Sequence, residues 1–280
     1  MNSQPLTVSF SYRPDNKLAL VWEKKISQYI NKKNPRVKIL AKNGKVVIVL
    51  GGDGTILEAA RKNQNHSSRI LGLNLGQVGF LASIREEKNF LHGLDKLFKG
   101  QYWIAKRMML QANVTRSNKI IFTTSALNEI VVQNLLGMVD LELKIDGDLM
   151  QNIRGTGVLI STATGSTGYN LSAHGPIVMP DINCFIVTEL MDHNIPSPSI
   201  VVTRNKNIKL KIISFRQRKL LSISKTGENV DVILIGDGTN PFPLKEKDIV
   251  NIRCSPKLIS FIELEKNYFF KSLQEKFAFK

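Results

Sequence analysis

The run Gly51-Gly52-Asp53-Gly54-Thr55 is the first place in this chain where residue types and spacing could do chemistry. Glycines between a buried strand and a helix let a ligand approach the backbone closely and aim free amides at it. The helix N-terminus adds a favourable dipole for an anion. A carboxylate among such amides repels phosphate unless a hydroxyl or a metal stands between. Asp53 is therefore suited to orient or deprotonate an attacking hydroxyl, or to help hold Mg²⁺. The plain alternative is a turn with Asp53 as helix N-cap. Neither the GxxxxGK[ST] phosphate loop nor a GxGxxG after the strand is present.

Three further segments carry polar groups in useful places. Leu71 to Leu81 (LGLNLGQVGFL) reads as a second strand followed by a glycine-rich loop, with Asn74 and Phe80 in it. In an open α/β sheet, loops at the carboxyl ends of strands line the ligand crevice. Asn128-Glu129 stands just before an apolar strand and supplies donors and acceptors together, a pair suited to ribose hydroxyls or a base edge. The stretch Arg154-Gly155-Thr156 to Ser172 is dense in small donors. It contains Ser166, Thr167, Gly168, Tyr169, Asn170, Leu171 and Ser172. A polar groove that closely approaches a ligand needs such residues, and Tyr169 could stack on a base or bond a hydroxyl. The four histidines, His66, His92, His174 and His193, show no zinc spacing, and no residue is assigned as a metal ligand. Arg216, Arg218 and Lys219 form a short basic patch that reads as a solvated face.

The elements that must position these residues follow from the apolar pattern. Val8–Tyr12, Val37–Leu40, Val46–Leu50 and Ile70–Leu73 read as strands. Val46–Leu50 is apolar on both faces, as a strand covered on both sides would be. Leu18, Trp22, Ile26, Tyr29 and Ile30 recur at helical spacing, the segment from Thr55 is a good helix former, and a helix is expected from about Arg85 to Lys99 with Gly100 past its end. From about Trp103 short strands dominate: 112–115, 119–122, 130–132, 141–145, 158–161, 185–188, 208–213, 222–224, 232–235 and 258–261, with Asp146-Gly147 and Asp237-Gly238 as hairpin turns. Only the stretch after Tyr169 looks helical there. Lys266–Lys280 has a helix-like pattern of aromatics. The fold class expected is α/β. It comprises a Rossmann-like, phosphofructokinase-like α/β domain over 1–104, a β-rich domain over 105–264, and a tail over 265–280 crossing back onto the first domain.

Composition sets the remaining bounds. The chain has 280 residues, 22% charged, with 39 Lys and Arg against 23 Asp and Glu, so its net charge is +16 and its partner is expected to be anionic. Cys184 and Cys254 form no CxxC and offer neither a disulfide framework nor a thiolate cage. No signal peptide is read at the N-terminus, and no stretch reaches the ~20 apolar residues of a spanning helix. A cytoplasmic setting is the default expectation.

LGGDGTILEAAR (50–61), LGLNLGQVGFLA (71–82), LNEIVV (127–132), RGTGVLISTATGSTGYNLSAHGPIVMP (154–180) and IGDGT (235–239) stand in one order, and with them the sequence resembles the NAD kinases. GGDGT alone is shared with lipid kinases; the long Ser/Thr/Tyr segment is what singles out this family. The resemblance implies a dinucleotide site between an α/β and a β-rich domain, in a homodimer or homotetramer. The reaction implied is phosphorylation of the adenosine ribose 2′-hydroxyl of NAD to give NADP. ATP or polyphosphate is the implied donor, with a divalent metal, Mg or Mn. Asp53 is by resemblance the general base or orienting group, with Gly54 beside it. Phe80 would line the dinucleotide pocket, Asn128 and Glu129 would bond it, and Arg154 and Thr167–Ser172 match further binding positions. Departures from the family pattern are Thr156 where Asp is usual, Gly168 where Ala is usual, Thr239 where Gln is usual, and a short chain before Gly51. Two other functions share some of these features: a diacylglycerol-type lipid kinase with the same glycine turn, and a non-catalytic dinucleotide- or nucleic-acid-binding protein. For the kinase reading neither membrane nor nucleic acid is an expected partner.

Overall fold

Val46–Leu50 is buried at every position, and the β-branched run on both faces explains why it lies inside a sheet covered on both sides. This and the following description come from a computed structural model, which describes residues 5–76, 79–191, 197–218, 220–222, 227, 230–266 and 268–277. In chain order the elements are β1 (Thr7–Ser11), α1 (Lys17–Lys33), β2 (Lys38–Ile39), β3 (Val46–Leu50), α2 (Asp53–Asn63), β4 (Arg69–Leu73), α3 (Phe90–Phe98), β5 (Trp103–Arg116), β6 (Lys119–Ala126), β7 (Glu129–Asn134), β8 (Val139–Ile145), β9 (Asp148–Gly155), β10 (Gly157–Thr162), α4 (Tyr169–Ser172), β11 (Cys184–Leu190), β12 (Ile200–Thr203), β13 (Ile208–Phe215), β14 (Val232–Gly236), β15 (Thr239–Leu244), β16 (Ile249–Glu263) and α5 (Tyr268–Phe277). They divide into two units, Met1–Arg107 with Lys257–Lys280, and Met108–Pro256.

The first unit is an α/β layer. β1, β2, β3 and β4 pair in parallel in the order β2-β1-β3-β4, and the end of β16 adds in parallel beside β4 through Ser260 and Phe261. The chain moves from β1 to β2 on one side and from β3 to β4 on the other. The carboxyl ends of β1 and β3 therefore flank the point where strand order reverses, the usual ligand crevice of such sheets. α1 starts at Asn16, whose side chain accepts the Ala19 amide at 3.0 Å, and buries Ala19, Trp22, Ile26 and Ile30. Trp22 meets Phe90 of α3 edge to face with ring centroids 4.8 Å apart.

α3 is shorter than its sequence suggests. It begins at Phe90 rather than Arg85, after a 3-10 turn over Glu87–Asn89. Ile84 still bridges Leu73 in parallel and Glu86 is extended, so the backbone cannot be helical there. The tail forms α5, and it belongs to this first unit.

The second unit is almost all antiparallel strand. One sheet has the order β12-β11-β10-β7-β14-β15; the other runs from the start of β16 through β13 and β8 to β9, and β5 pairs with β6. Side chains from the two layers share one core that includes Leu110, Ile130, Val132, Leu143, Ile160, Phe185, Leu210 and Leu234. Both expected hairpins form, with Asp146 at φ 51° and Gly147 at 99°, and Asp237 at 46° and Gly238 at 67°. Of the strand expected at 222–224, only Ser222 is among the described residues; Lys219, His193, Asn267 and 278–280 also lie outside them.

Candidate functional site

In the first unit Gly52, not Asp53, is the N-cap of α2, and Asp53 is the first helical residue. Its carboxylate is turned away from its own helix: Phe80 donates its amide to Oδ2 at 2.8 Å and Leu81 donates to Oδ1 at 3.2 Å. The plain N-cap alternative is thereby replaced by a clamp between two motifs 27 residues apart. Gly79 makes the clamp possible. A Cβ there would stand 2.2 Å from Asp53 Oδ1. Gly72 plays the supporting part, since a Cβ at that position would meet Ile56 at 2.7 Å and the Ala82 backbone at 2.9 Å. Gly79 is the glycine before Phe80 in GQVGF, a position to which the sequence alone assigns no separate role.

The rest of the glycine turn is compact but open to solvent at one point. A Cβ on Gly51 would lie 2.6 Å from Thr55 Oγ1, while one on Gly52 would meet nothing within 4 Å and one on Gly54 only Arg13 Nη2, at 3.7 Å. Thr55 is buried. Asn74 is buried too and ties its own loop: Nδ2 donates to the Gly76 carbonyl at 2.9 Å, and its amide donates to the Ile84 carbonyl at 2.8 Å. Asn74 thus shapes the loop that carries Phe80. The Phe80 ring stands among α5 side chains, 6.1 Å from the rings of Phe269 and Phe277, with Lys276 Nζ 5.1 Å from its centre. The tail helix is itself pinned by Arg85, which donates to the Tyr268 carbonyl at 2.9 Å and stacks on the Tyr268 ring. Burial pushes the Tyr268 hydroxyl up to about 12.

In the second unit the turn before β7 gathers the other residues. Asn128 and Glu129 each present a buried side-chain oxygen, Oδ1 and Oε2, with no hydrogen-bond partner among the described residues. Their backbone, by contrast, is fully engaged. The Thr162 amide donates to the Asn128 carbonyl at 2.8 Å and the Thr162 hydroxyl to the Leu127 carbonyl at 2.6 Å. From the β14–β15 turn, Asp237 accepts the amides of Leu127, Asn128 and Glu129 at 2.8, 2.8 and 3.2 Å. Burial, followed by the Asp237 charge, pushes the Glu129 carboxyl up to about 8. Sequence gives Asp237 a hairpin turn and a place in the IGDGT motif, but nothing local marks it as the acceptor of these three amides.

The Ser/Thr/Gly segment packs against this turn. A Cβ on Gly165 would stand 2.3 Å from the Asn128 carbonyl oxygen, and one on Gly168 would lie 3.3 Å from Asn128 Nδ2 and 3.4 Å from Glu129 Oε2. The segment folds as a 3-10 turn over Thr164–Thr167 and the single turn α4. Thr167, Gly168 and Leu171 are half-buried; Tyr169 and Ser172 are exposed, and Tyr169 Oη reaches Gln133 Oε1 at 3.5 Å. Ser166 and Asn170 are fully buried. Ser166 accepts the Val178 amide at 3.0 Å, and Asn170 donates to the Pro176 carbonyl at 3.0 Å and accepts from Thr188 at 2.8 Å. These two hold the segment rather than face outward. Thr156 directs both its amide and its hydroxyl to the Leu190 carbonyl, each at 2.8 Å. Arg154 is exposed, 3.7 Å from Asp140.

Three other features bear on chemistry. Among the described residues no group of three or more His, Cys, Asp or Glu side chains could hold a metal ion, and no helix is long and apolar enough to cross a membrane. A groove of about 630 Å³ lined by Ser9, Ser11, Tyr12, Lys42 and Lys62 does not include Asp53.

Known proteins match both units. The model of the ATP-NAD kinase N-terminal domain matches residues 9–102, and that of the ATP-NAD kinase C-terminal domain matches 127–264. An NAD kinase from Lachnoclostridium phytofermentans is 37% identical over 243 residues, covering 85% of this chain and 82% of its own length. One from Thermoanaerobacter sp. is 35% identical over 232 residues, covering 82% and 77%. Among solved structures, the yeast NADH kinase complexed with NADH superposes with a TM-score of 0.86 at 20% identity, covering 99% of this chain and 89% of that one. At that identity the likeness speaks for the fold alone. With both domain models matched in order and relatives above one-third identity along most of its length, the chain belongs to the NAD kinase family.

Proposed function

We propose that this chain transfers a phosphoryl group from ATP to the 2′-hydroxyl of the adenosine ribose of NAD, giving NADP. The observation that carries the reading is the Asp53 carboxylate, fixed by two backbone amides inside the GGDGT turn of a chain whose two units both match this family. Neither a lipid kinase nor a non-catalytic binding protein is favoured once the family is established.

Phosphoryl transfer asks the protein mainly for positioning and charge compensation. Each Asp53 oxygen has a second lone pair beyond its amide bond, so the group can still accept the proton of a hydroxyl. Because the clamp fixes the carboxylate, the hydroxyl that meets it is fixed as well. The first turn of α2 offers its dipole to donor phosphates, and the open space at Gly52 permits their approach. Asn128 and Glu129 bind the dinucleotide through their two unpartnered oxygens. Tyr169 and the exposed edge of 167–172 add contacts, and Arg154 offers a cation to an anionic substrate. Ser166, Asn170 and Asn74 support these groups from behind. Gly51, Gly54 and Thr55 shape the turn.

The residues do not form a cage for a divalent ion, since three clustered ligands are lacking among the described residues. Mg²⁺ or Mn²⁺ is read here as arriving on the donor's phosphates, where it would neutralise charge. The same reading assigns the enzyme to the cytoplasm as a homodimer or homotetramer.

The deciding experiment incubates the purified 280-residue chain with NAD, Mg²⁺ or Mn²⁺, and either ATP or polyphosphate, and measures NADP with an NADP-specific dehydrogenase. NADP formed with ATP supports the reading, and the polyphosphate arm defines the donor range. NAD binding with no NADP from either donor would sink it.

A further inference from the structure

The turn that presents Asn128 and Glu129 has an unusual division of labour. Its backbone is fully engaged and its side-chain oxygens are not. A buried, unpaired polar oxygen is destabilising, so two neighbouring ones are kept where something else uses them. What keeps them in place is mostly one side chain. Asp237 lies 108 to 110 residues further along the chain and takes three consecutive amides with its two oxygens. Its own amide returns a bond to the Glu129 carbonyl at 3.1 Å. Asp237 reaches this position with a left-handed backbone, φ 46°, followed by Gly238 at 67°. The tight hairpin could be made by Asn-Gly as well as by Asp-Gly. Turn geometry therefore does not demand a carboxylate, whereas three converging amides do.

We propose that Asp237 is the positioning residue of the dinucleotide-binding turn, setting through the amides of Leu127, Asn128 and Glu129 where Asn128 Oδ1 and Glu129 Oε2 meet the substrate. The inference rests on the assignment of that turn to NAD binding. Asp237 touches no reacting atom. It acts in two ways through its neighbour: its amide bonds fix the backbone, and its charge beside buried Glu129 helps to keep that carboxyl protonated. Among the described residues, Asp237 is the charged group whose field raises the Glu129 carboxyl. The packed 165–168 segment brings glycine and hydroxyl groups instead. Glu129 then offers a hydrogen-bond donor, and Asn128 Oδ1 an acceptor, which together suit a hydroxyl that both donates and accepts.

The test compares wild type with Asp237→Asn in the 280-residue chain. The substitution keeps the side chain's size and one carbonyl acceptor but removes the charge and the second acceptor. Circular dichroism first checks that the variant folds. Calorimetric titration with NAD is expected to show affinity weakened about 10- to 100-fold, by analogy with the loss of the partners that orient metal ligands. ATP affinity should stay within about twofold if the site is otherwise independent. Carbon-13 NMR of Glu129 should titrate near 8 in wild type and lower in the variant. In a Glu129→Gln background, Asp237→Asn should weaken NAD binding less than it does alone, which a merely structural role would not produce.

Unchanged NAD affinity in a folded variant, or equal loss of NAD and ATP affinity, overturns the proposal. So does a wild-type Glu129 that titrates as an ordinary carboxyl, a measurement that stands even if the variant does not fold. Absence of NADP formation with NAD still bound would refute the kinase reading alone, because every arm here reads binding or titration.

Discussion

Asp53 in the first unit and Asp237 in the second are built the same way. Each carboxylate reaches across the chain and takes consecutive backbone amides, two for Asp53 and three for Asp237. Glu129 is the opposite case: its Oε2 is buried without a partner among the described residues, and a second carboxylate lies nearby. The first arrangement fixes a loop. The second disfavours charge and leaves bonding capacity for a ligand. On the proposed reading, anchored acids fix position and the unpartnered acid serves recognition. On that reading only Asp53 does both, its anchored oxygens also being the ones offered to the reacting hydroxyl.

The largest effect should come from breaking that double role. Asp53→Asn removes the proton acceptor and turns an amide donor toward the amides of Phe80 and Leu81. NADP formation should fall by about 10²–10⁴-fold, the usual contribution of a positioned base. Circular dichroism should still show the wild-type fold. A rate within tenfold of wild type would mean that Asp53 anchors but does not act on the proton.

Gly79→Ala separates the two parts without touching the carboxylate chemically. The new methyl would stand where Asp53 Oδ1 is now only 2.2 Å away, so the 79–81 loop or the acid must move. Such misplacement is expected to lower kcat by about 10²-fold, with an overpacking cost of about 1–3 kcal/mol in thermal stability. Normal kcat in this variant would show that the clamp does not govern the chemistry.

The part of this design that was legible in the sequence follows a physical rule. GGDGT lies between a strand apolar on both faces and a good helix former, so its place at the end of β3 could be read directly. Asn128-Glu129 was readable in the same way from the apolar run behind it. The three strands that the pattern did not give, β9, β12 and β15, are all at the ends of their sheets. An end strand is half solvated, so its residues need not alternate cleanly, and β15 even carries Pro241 and Pro243, which cost nothing where no neighbour needs the amide. The two clamps were illegible for a different reason. Nothing local distinguishes an Asp that accepts amides 27 or more than 100 residues away from one that merely starts a turn. Ser166 and Asn170 show the converse: a segment rich in small polar residues points to a ligand groove, yet these two use their polarity to hold the segment itself.

Glu129→Gln sharpens the contrast between anchored and lone acids through pH. The Glu129 carboxyl is raised to about 8 in the folded chain, above its value of 4.5 in a model compound. A group raised on folding contributes stability fully below the unfolded value and loses it as pH rises through the folded one. Wild type should therefore lose stability between about pH 4.5 and pH 8, by an amount on the order of a few kcal/mol at most. The variant, with no carboxyl to ionise, should be more stable than wild type at pH 9 and closer to it at pH 4. Parallel melting curves across that range would show that Glu129 ionises freely when folded, and so is not the lone acid described here.

The smallest effect concerns Thr156, which stands where the family usually has an acid. Its hydroxyl and its amide both end on the Leu190 carbonyl, joining the start of β10 to the end of β11. One hydroxyl bond of this kind contributes about 0.5–1.5 kcal/mol. Thr156→Ala should thus lower thermal stability by that amount and leave the NAD KM within about twofold, because the removed oxygen is already satisfied inside the unit. A several-fold rise in NAD KM with unchanged stability would mean that the hydroxyl leaves Leu190 for the dinucleotide. In that case Thr156 would join Asn128, Glu129, Tyr169 and Arg154 in recognising the ligand, and the missing family carboxylate would have been replaced in function rather than lost.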